Sequence, residues 1–357
     1  MRTWLGIGQA GMAQCAQAEV RLSLKAIAPG KLILSGEHAV LYGQPAVAMA
    51  IDLSAQTTII SQPTDDIVFS LPDLRQRESF KLRALREMKR RVLTNYQLFQ
   101  EGELGIRDVL VKPIELLLFS FVTLLDGLHI KLEEGLDIGL TSSIPVGCGL
   151  GSSAASVLSE LRAVGHYLRV DFRPDWHMKY SMLAENLQHG TASGVDSYVS
   201  LHGGCVRFQD GHGEAIPMPS VPVFVVHTGM PDTSTGECVM AVREQIGDSR
   251  LWQDFGAVTD EVAAVAGRRD LRAMKAAIRE NHRLLCQIGV VPERVQTFIR
   301  AIEADGGAAK ICGAGAVRGE HAGIVMVVAD EPPLGLCAKY GYSISAVRGD
   351  PLGVRVV

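Results

Sequence analysis

Residues 145–154 read Pro145-Val146-Gly147-Cys148-Gly149-Leu150-Gly151-Ser152-Ser153-Ala154 and carry the strongest local signal in the chain. Glycines let a backbone approach a ligand closely, and an apolar stripe from Leu150 onward predicts a helix directly after them. Because a helix N-terminus has unpaired N–H groups and a positive dipole end, the segment predicts a phosphate site. A flexible turn with an ordinary serine N-cap also explains it. It is not a Walker A loop, since no Gly-Lys-Ser/Thr ends it.

Three other segments place charged residues beside glycine turns. They are Pro29-Gly30-Lys31 with Gly36-Glu37-His38, Glu185 with His189-Gly190-Thr191-Ala192-Ser193-Gly194-Val195-Asp196, and Ala309-Lys310-Ile311-Cys312-Gly313-Ala314-Gly315. A lysine between apolar residues, such as Lys31, either extends its ammonium group to water or meets an anion. Lysine, glutamate and histidine together between glycine turns favour a binding site.

Each of these side chains, taken singly, also has an ordinary structural explanation. His38 fits a hydrogen-bonded core histidine, and Asp196 fits a turn residue that bonds to nearby backbone. An apolar helical stripe is formed by Trp176, Tyr180, Leu183 and Leu187. Glu185 lies two residues from the last two members, so we expect its side chain to face away from the stripe, toward solvent. The late glycine turn fits a tight connection.

Composition restricts the class of protein. The chain has 357 residues, 47% hydrophobic and 21% charged, with a formal net charge of −4. Since one hydrophobic core stops growing at about 250–300 residues, we expect two lobes with a ligand cleft between them. Basic and acidic residues are interspersed, which argues against a nucleic-acid partner. The seven cysteines are scattered without Cys-x-x-Cys, which argues against disulfides or zinc and indicates the reducing cytoplasm.

Two apolar or glycine-containing stretches have simple interpretations. The run 116–125 is about half the roughly 20 residues that span a bilayer, so we expect a buried helix and no membrane partner. Residues 1–20 show no clear periodicity and no apolar signal core, which predicts a disordered leader. Their Gly6-x-Gly8-x-x-Gly11 matches the dinucleotide fingerprint. Too few residues precede it, however, for the strand that this motif requires.

Strand and helix patterns are mixed without regular alternation, which predicts an α+β fold rather than a doubly wound sheet. We predict strands at 20–26, 31–34, 46–51, 136–140, 221–226 and 324–328. We predict helices at 80–98, around 116–125, and at 150–168, 176–187, 271–286 and 292–304. The expected organisation is a leader at 1–20, an N-terminal lobe at 21–215 and a C-terminal lobe at 216–357.

The motifs together resemble the GHMP kinases in order and spacing, over about residues 24–330. Pro-Gly-Lys with Gly-Glu-His-Ala-Val comes first, Pro-x-Gly-x-Gly-Leu-Gly-Ser-Ser-Ala lies in the middle, and Lys-x-x-Gly-Ala-Gly comes last. His-Gly-Thr-x-Ser-Gly-Val-Asp at 189–196 looks like the mevalonate kinase version. Glu37-His38 followed by Ala39-Val40-Leu41 also fits that branch best, because phosphomevalonate kinases usually have Glu-Tyr and galactokinases continue with Thr-Asp-Tyr.

The resemblance implies a two-lobed GHMP kinase fold, with an N-terminal lobe similar to ribosomal protein S5 domain 2 and a ferredoxin-like C-terminal lobe. It implies ATP-dependent phosphorylation of mevalonate to 5-phosphomevalonate, with ATP and Mg²⁺ as cofactors. Since dimers occur in the family, it also implies a homodimer. Two alternatives stay open: a GHMP kinase for another small alcohol, such as phosphomevalonate or a sugar, and a non-catalytic ligand sensor on the same fold.

The resemblance also implies the roles of site residues by matched position. The ATP phosphates would contact Gly147, Gly149, Leu150, Gly151, Ser152, Ser153, Gly313 and Gly315. The residues that hold Mg²⁺ would be Ser153 and Glu185, and those that contact mevalonate would be His38 and Glu37. Asp196 would take the hydroxyl proton or orient the hydroxyl group, with Lys31 beside it.

The chain departs from the family pattern at several positions. The late motif continues with Ala316-Val317-Arg318 where several glycines are usual. We therefore expect Arg318 to supply a phosphate contact instead. Ala192 replaces a frequent proline, and Cys148 replaces a frequent alanine.

Overall fold

The computed structural model describes residues 23–357. The predicted leader at 1–20, with its Gly6-x-Gly8-x-x-Gly11 run, lies outside the described residues. Within them, strands and helices follow one another in irregular order, which confirms the predicted α+β class. No helix found between residues 23 and 357 has both the length and the apolar character required to cross a bilayer.

The strands of the described part form two sheets. They are β1 (Leu24–Ser35), β2 (Ala46–Gln62), β3 (Ile67–Leu71), β4 (Gln76–Phe80), β5 (Gly135–Ser142), β6 (Cys205–Gln209), β7 (His212–Ile216), β8 (Val223–His227), β9 (Ala308–Ile311), β10 (Ile324–Val328), β11 (Ser343–Ala346) and β12 (Arg355–Val356). The first sheet has the order β12-β1-β2-β5-β3-β4, with β6 beside β2 and β7 beside β6. The second has the order β11-β8-β10-β9. Only β3 and β5 pair in parallel among these strands.

Helices pack against both sheets. They are α1 (Leu82–Gln100), α2 (Glu115–Gly127), α3 (Ser152–Tyr167), α4 (Pro174–His189), α5 (Val195–His202), α6 (Thr235–Ile246), α7 (Leu251–Ala266), α8 (Leu271–Gln287), α9 (Glu293–Ala304) and α10 (Leu334–Tyr340). The apolar run 116–125 is buried within α2, as predicted. The sequence pattern had not indicated α6 and α7.

The first strand is longer than its sequence suggested. We predicted two strands separated by Pro29-Gly30, whereas β1 runs through both residues and pairs with β2 along its length. Because proline lacks an N–H group, the pairing register shifts between Pro29 and Gly30 and then resumes. A Cβ at Gly30 would lie 2.9 Å from the carbonyl oxygen of Leu150. Glycine therefore lets residues 145–151, here called the glycine loop, approach β1.

The two sheets draw on residues 24–216 and 223–346, with one exception. The last strand, β12, pairs with β1 and belongs to the first sheet, although the predicted C-terminal lobe included it. One buried apolar cluster joins the sheets, with members from both, including Leu32, Val47, Val225 and Met326. Since each such side chain contributes about 1.5–3 kcal/mol on burial, apolar packing holds the lobes together below the cleft.

Candidate active site

A lysine and an aspartate from separate elements meet at the centre of the cleft. Lys31 on β1 is 2% exposed, and its Nζ lies 3.2 Å from Oδ1 of Asp196 in the first turn of α5. The Asp196 side chain keeps 30% of its surface exposed. The ammonium group of Lys31 therefore meets an anion instead of extending to solvent, and part of the carboxylate remains open to a ligand.

The glycine loop ends beside this ion pair, at the start of α3. Gly151 has a φ of 71°, and a Cβ there would lie 2.9 Å from Cγ of Lys31 and 3.6 Å from Oδ2 of Asp196. Both the left-handed backbone and the close approach require glycine. Among the described residues, no side chain caps the first turn of α3. Its N–H groups are therefore available to an anion such as phosphate.

The late glycine turn packs directly against the glycine loop. A Cβ at Gly149 would lie 2.3 Å from the carbonyl oxygen of Cys312, and one at Gly313 would lie 2.9 Å from Cα of Gly149. Such distances leave no room for any side chain at either position. The second sheet thus supports the backbone that is expected to contact phosphates.

The first motif contacts both glycine turns. The N–H of Lys31 donates to the carbonyl oxygen of Leu150 at 2.9 Å, and Nε2 of His38 lies 3.0 Å from the carbonyl oxygen of Ala314. His38 has a φ of 58°, a conformation that is uncommon for a non-glycine residue and that clusters at functional sites. Burial lowers the pKa of His38 more than the hydrogen bond to Ala314 raises it. The first, middle and late motifs therefore share one cleft.

A second lysine–carboxylate pair is fully buried at the wall of the cleft. Lys310 on β9 is 0% exposed and Glu37 is 1% exposed. The ammonium group of Lys310 donates to Oε1 of Glu37 and to the carbonyl oxygens of Ile33 at 3.2 Å and Ile311 at 2.8 Å. Burial raises the pKa of Glu37, and the charge of Lys310 opposes that rise. Oε2 of Glu37 has no hydrogen-bond partner within residues 23–357.

Glu185 is buried, contrary to the orientation that its helical spacing suggested. It is 3% exposed, whereas Trp176 and Leu183 of the apolar stripe are 37% and 41% exposed. The prediction was wrong because the buried face of α4 mixes polar and apolar side chains, His177, Ser181, Ala184, Glu185 and Leu187, and Glu185 on this face borders the cleft. Burial raises the pKa of Glu185 to about 8, with a smaller contribution from the Asp196 carboxylate.

Sequence reasoning gave no role to His189, which the structure places in the cleft. His189 lies one turn after Glu185 on α4, and its Nε2 is 3.5 Å from Oε2 of Glu185. Burial lowers the pKa of His189, and the charge of Asp196 opposes that shift. Thr235, the first residue of α6, also borders the cleft. The four-residue spacing from Glu185 could have indicated His189, since residues i and i+4 share a helix face.

Two adjoining cavities open from the Lys31–Asp196 pair, with volumes of about 750 Å³ and 1080 Å³ including their open mouths. The smaller one, called the inner cavity, is lined by Lys31, Glu37, His38, Glu185, His189 and Asp196 and by the apolar Ile33, Val40, Leu41 and Val239. The larger one, called the outer cavity, is lined by the glycine loop and by Leu71, Leu74, Leu116 and Leu140. Both cavities are bordered by Gly149, His189, Asp196 and Thr235.

The other residues assigned to the site from sequence lie around these cavities. The outer cavity is lined by Gly147, Gly151, Ser152 and Ser153. Gly313 lines the inner cavity, and Gly315 lines a third one, called the mouth cavity, between the glycine loop and residues 230–235. Leu150 places its side chain in the core. Arg318 is 64% exposed, and its Nη2 lies 3.5 Å from Oε1 of Glu237.

Comparison with known proteins identifies the family. The sequence models "GHMP kinases N terminal domain" and "GHMP kinases C terminal" match residues 117–204 and 262–317. The mevalonate kinase of Thermococcus sibiricus is 30% identical over 315 residues, which cover 81% of this chain and 86% of that protein. This chain belongs to the GHMP kinases.

Two further proteins similar to this GHMP kinase carry the same name as that relative. The mevalonate kinase of Pyrococcus furiosus is 30% identical over 307 residues, covering 81% of this chain and 86% of that protein. The solved mevalonate kinase of Methanococcus jannaschii has a TM-score of 0.76 at 24% identity and covers 93% of this chain and 99% of that chain. These findings confirm the predicted GHMP kinase fold. The chain is an ATP-dependent kinase with an alcohol acceptor, and it is similar to mevalonate kinases.

Proposed function

We propose that this GHMP kinase transfers the γ-phosphoryl group of ATP to mevalonate and forms 5-phosphomevalonate. The observation that carries the proposal is the Lys31–Asp196 pair, with its 3.2 Å contact, at the junction of the inner and outer cavities. Relatives that are 30% identical over 81% of the chain and are named mevalonate kinase support the choice of acceptor.

The outer cavity holds the nucleotide. The phosphates of the nucleotide meet backbone N–H groups and the N-terminus of α3, which are supplied by Gly147, Gly149, Gly151 and Ser152. The far part of the cavity is lined by apolar side chains, Leu71, Leu74, Leu116, Leu140 and Val146. A mostly apolar wall suits a flat base. ATP therefore lies with its γ-phosphate directed at Asp196.

The residues beside the glycine loop fit a magnesium ion. Oε1 of Glu185 is buried and has no hydrogen-bond partner in the described part of the chain. The Ser153 hydroxyl lies beside this carboxyl group and lowers its pKa. Mg²⁺ prefers a few oxygen ligands of this kind, completed by water and phosphate oxygens. When bound, it neutralises charge on the transferring phosphoryl group, and Ser153 and Glu185 are the residues that hold it.

Asp196 activates the alcohol. Lys31 holds Oδ1 of Asp196, and the remaining oxygen accepts a hydrogen bond from the C5 hydroxyl group of mevalonate. As the hydroxyl oxygen forms a bond to the γ-phosphorus, Asp196 takes its proton. The bond between this phosphorus and the β,γ-bridging oxygen breaks, and ADP leaves. A base in this position contributes roughly 10²–10⁴-fold to the rate.

The inner cavity binds the rest of the acceptor. His38 and the unpartnered Oε2 of Glu37 contact the polar groups of mevalonate, and the apolar wall contacts its methyl and methylene groups. A cytoplasmic location, indicated by the cysteine pattern, and a homodimer, implied by the family resemblance, stay predictions.

The experiment that tests this function compares acceptors. ADP release is measured with mevalonate, phosphomevalonate, homoserine, galactose or a heptose in separate reactions, with ATP alone as the background. We expect mevalonate to have the highest kcat/KM. A higher value for another acceptor would replace mevalonate in the proposal, and ADP release no faster than background with every acceptor would favour a ligand sensor.

A further inference from the structure

His189 is a cleft residue that the mechanism above does not use. His189 borders the inner, outer and mouth cavities alike. It therefore lies where the phosphoryl group passes from nucleotide to acceptor. The family resemblance assigned Ser153 and Glu185 to the cation and left His189 without a role.

The imidazole of His189 lies next to one oxygen of Glu185. Its Nε2 lies 3.5 Å from Oε2, while Oε1 of the same carboxylate is buried and has no hydrogen-bond partner within residues 23–357. Contacts of this kind are often long without ligands and shorten in the reacting complex. The two oxygens of Glu185 are thus distinct: Oε2 lies 3.5 Å from an imidazole nitrogen, and Oε1 has no hydrogen-bond partner among the described residues.

Packing at the end of α4 is achieved without the imidazole. Gly190, which follows His189, lies against Phe99, since a Cβ at Gly190 would be 2.8 Å from Cζ of that ring. The hydroxyl group of Tyr96 donates to the carbonyl oxygen of Gly190 at 3.0 Å. These contacts fix the backbone here, so the ring of His189 remains available for another task.

We propose that His189 is a positioning residue whose Nε2–H holds Oε2 of Glu185, so that Oε1 faces the divalent cation beside the nucleotide phosphates. The inference rests on the cation site in the proposed function. In metal sites, removing a group that orients a ligand typically weakens metal binding about 10- to 100-fold. Removing the N–H donor of His189 should have an effect in this range.

The test measures Mn²⁺ binding to the enzyme–ADP complex by electron paramagnetic resonance, which does not depend on turnover. His189→Gln keeps an N–H donor, whereas His189→Leu keeps most of the volume without a donor. We expect at least about tenfold weaker Mn²⁺ binding in His189→Leu and a change within about threefold in His189→Gln. The affinity for ADP without a divalent cation should stay unchanged in both. His212→Gln, on the exposed end of β7, is the matched control and should bind Mn²⁺ like the wild type.

Equal Mn²⁺ affinities in His189→Leu and His189→Gln would overturn the proposal, since the donor would then make no difference. His189→Ala is measured beside them in case leucine disturbs folding, and thermal unfolding establishes which variants are folded. The Glu185→Gln variant tests the cation site separately from the role of His189. If it binds Mn²⁺ normally, the cation site itself is wrong and the role of His189 falls with it. If Glu185→Gln loses Mn²⁺ while His189→Leu and His189→Ala retain it, only the role of His189 is wrong.

Discussion

Two lysine–carboxylate pairs lie in the same cleft and differ in exposure. In the Lys310–Glu37 pair the side chains are 0% and 1% exposed, whereas in the Lys31–Asp196 pair they are 3% and 30% exposed. The first pair joins β9 to the first motif, and the second faces both cavities. A lysine beside a carboxylate therefore does not by itself mark the reacting group. In the proposed mechanism the reacting group is the accessible carboxylate, Asp196.

The largest effect should come from breaking the buried pair. Lys310→Met leaves Glu37 buried without its partner, and we expect the free energy of unfolding to fall by about 3–5 kcal/mol. Urea denaturation at pH 7 measures this. The double variant Glu37→Leu with Lys310→Met should recover at least half of the loss, because removing both charges avoids an unpaired buried one. A loss under about 1 kcal/mol in the single variant would contradict this interpretation.

The Lys31–Asp196 pair, whose carboxylate is partly exposed, should respond in the opposite way. Asp196→Asn keeps the size of the side chain and removes the base, so we expect kcat to fall at least about a hundredfold. ATP affinity, measured by calorimetry, should change by less than about twofold, and stability by less than about 1 kcal/mol. Near-normal turnover would exclude Asp196 as the base. A large fall in the free energy of unfolding would show that the two ion pairs do not differ in their contribution to stability.

Glu185 extends the comparison to a buried carboxyl group without a lysine ion-pair partner among the described residues. Its pKa is raised from the ordinary 4.5 to about 8, mainly by burial. The folded state therefore binds this proton more tightly than the unfolded state. The resulting stability is complete below about pH 4.5 and is lost as the pH rises through about 8.

Without divalent cations, the wild type should lose on the order of 1–3 kcal/mol more stability between pH 5 and pH 8 than Glu185→Gln does. Urea denaturation across this range compares the two proteins. If the free energies of unfolding of the two proteins changed with pH in the same way, Glu185 would titrate normally in the folded state.

The smallest effect should come from a pair at the surface. Arg83 and Glu87 lie one turn apart on α1 with a 3.1 Å contact, and their side chains are 90% and 51% exposed. We expect Arg83→Ala to change the free energy of unfolding by less than about 0.5 kcal/mol. If Arg83→Ala lowered the free energy of unfolding by more than about 1.5 kcal/mol, the exposure of an ion pair would not predict how much that pair contributes to stability.

Features that depend on neighbouring residues were predictable from the sequence. The apolar period after Leu150 and the run 116–125 predicted α3 and α2, because local spacing decides which helix face is buried. The pairing of β12 with β1 was not predictable in this way, since it joins the two ends of the described chain. Pairing between strands that are far apart in the sequence has little effect on the local spacing of apolar residues.

The site was predictable only through the combination of motifs. Lys31 and Asp196 each had an ordinary explanation, and their contact brings together residues far apart in the chain. Glu185 was placed on the wrong side of its helix because periodicity assumes an apolar interior, whereas the buried face of α4 mixes polar and apolar side chains. His189 was missed because its four-residue spacing from Glu185, which places both residues on one helix face, was not used.

The most direct test of phosphoryl transfer at the Lys31–Asp196 pair identifies the product atom by atom. Mevalonate and MgATP are incubated with the enzyme, and the products are examined by ¹H–³¹P correlation NMR. We predict a phosphate ester coupled to the C5 methylene protons, formed in step with ADP and undetectable over the same time with Asp196→Asn. ATP hydrolysis to free phosphate with unchanged mevalonate, or the same ester formed at an equal rate by Asp196→Asn, would contradict it.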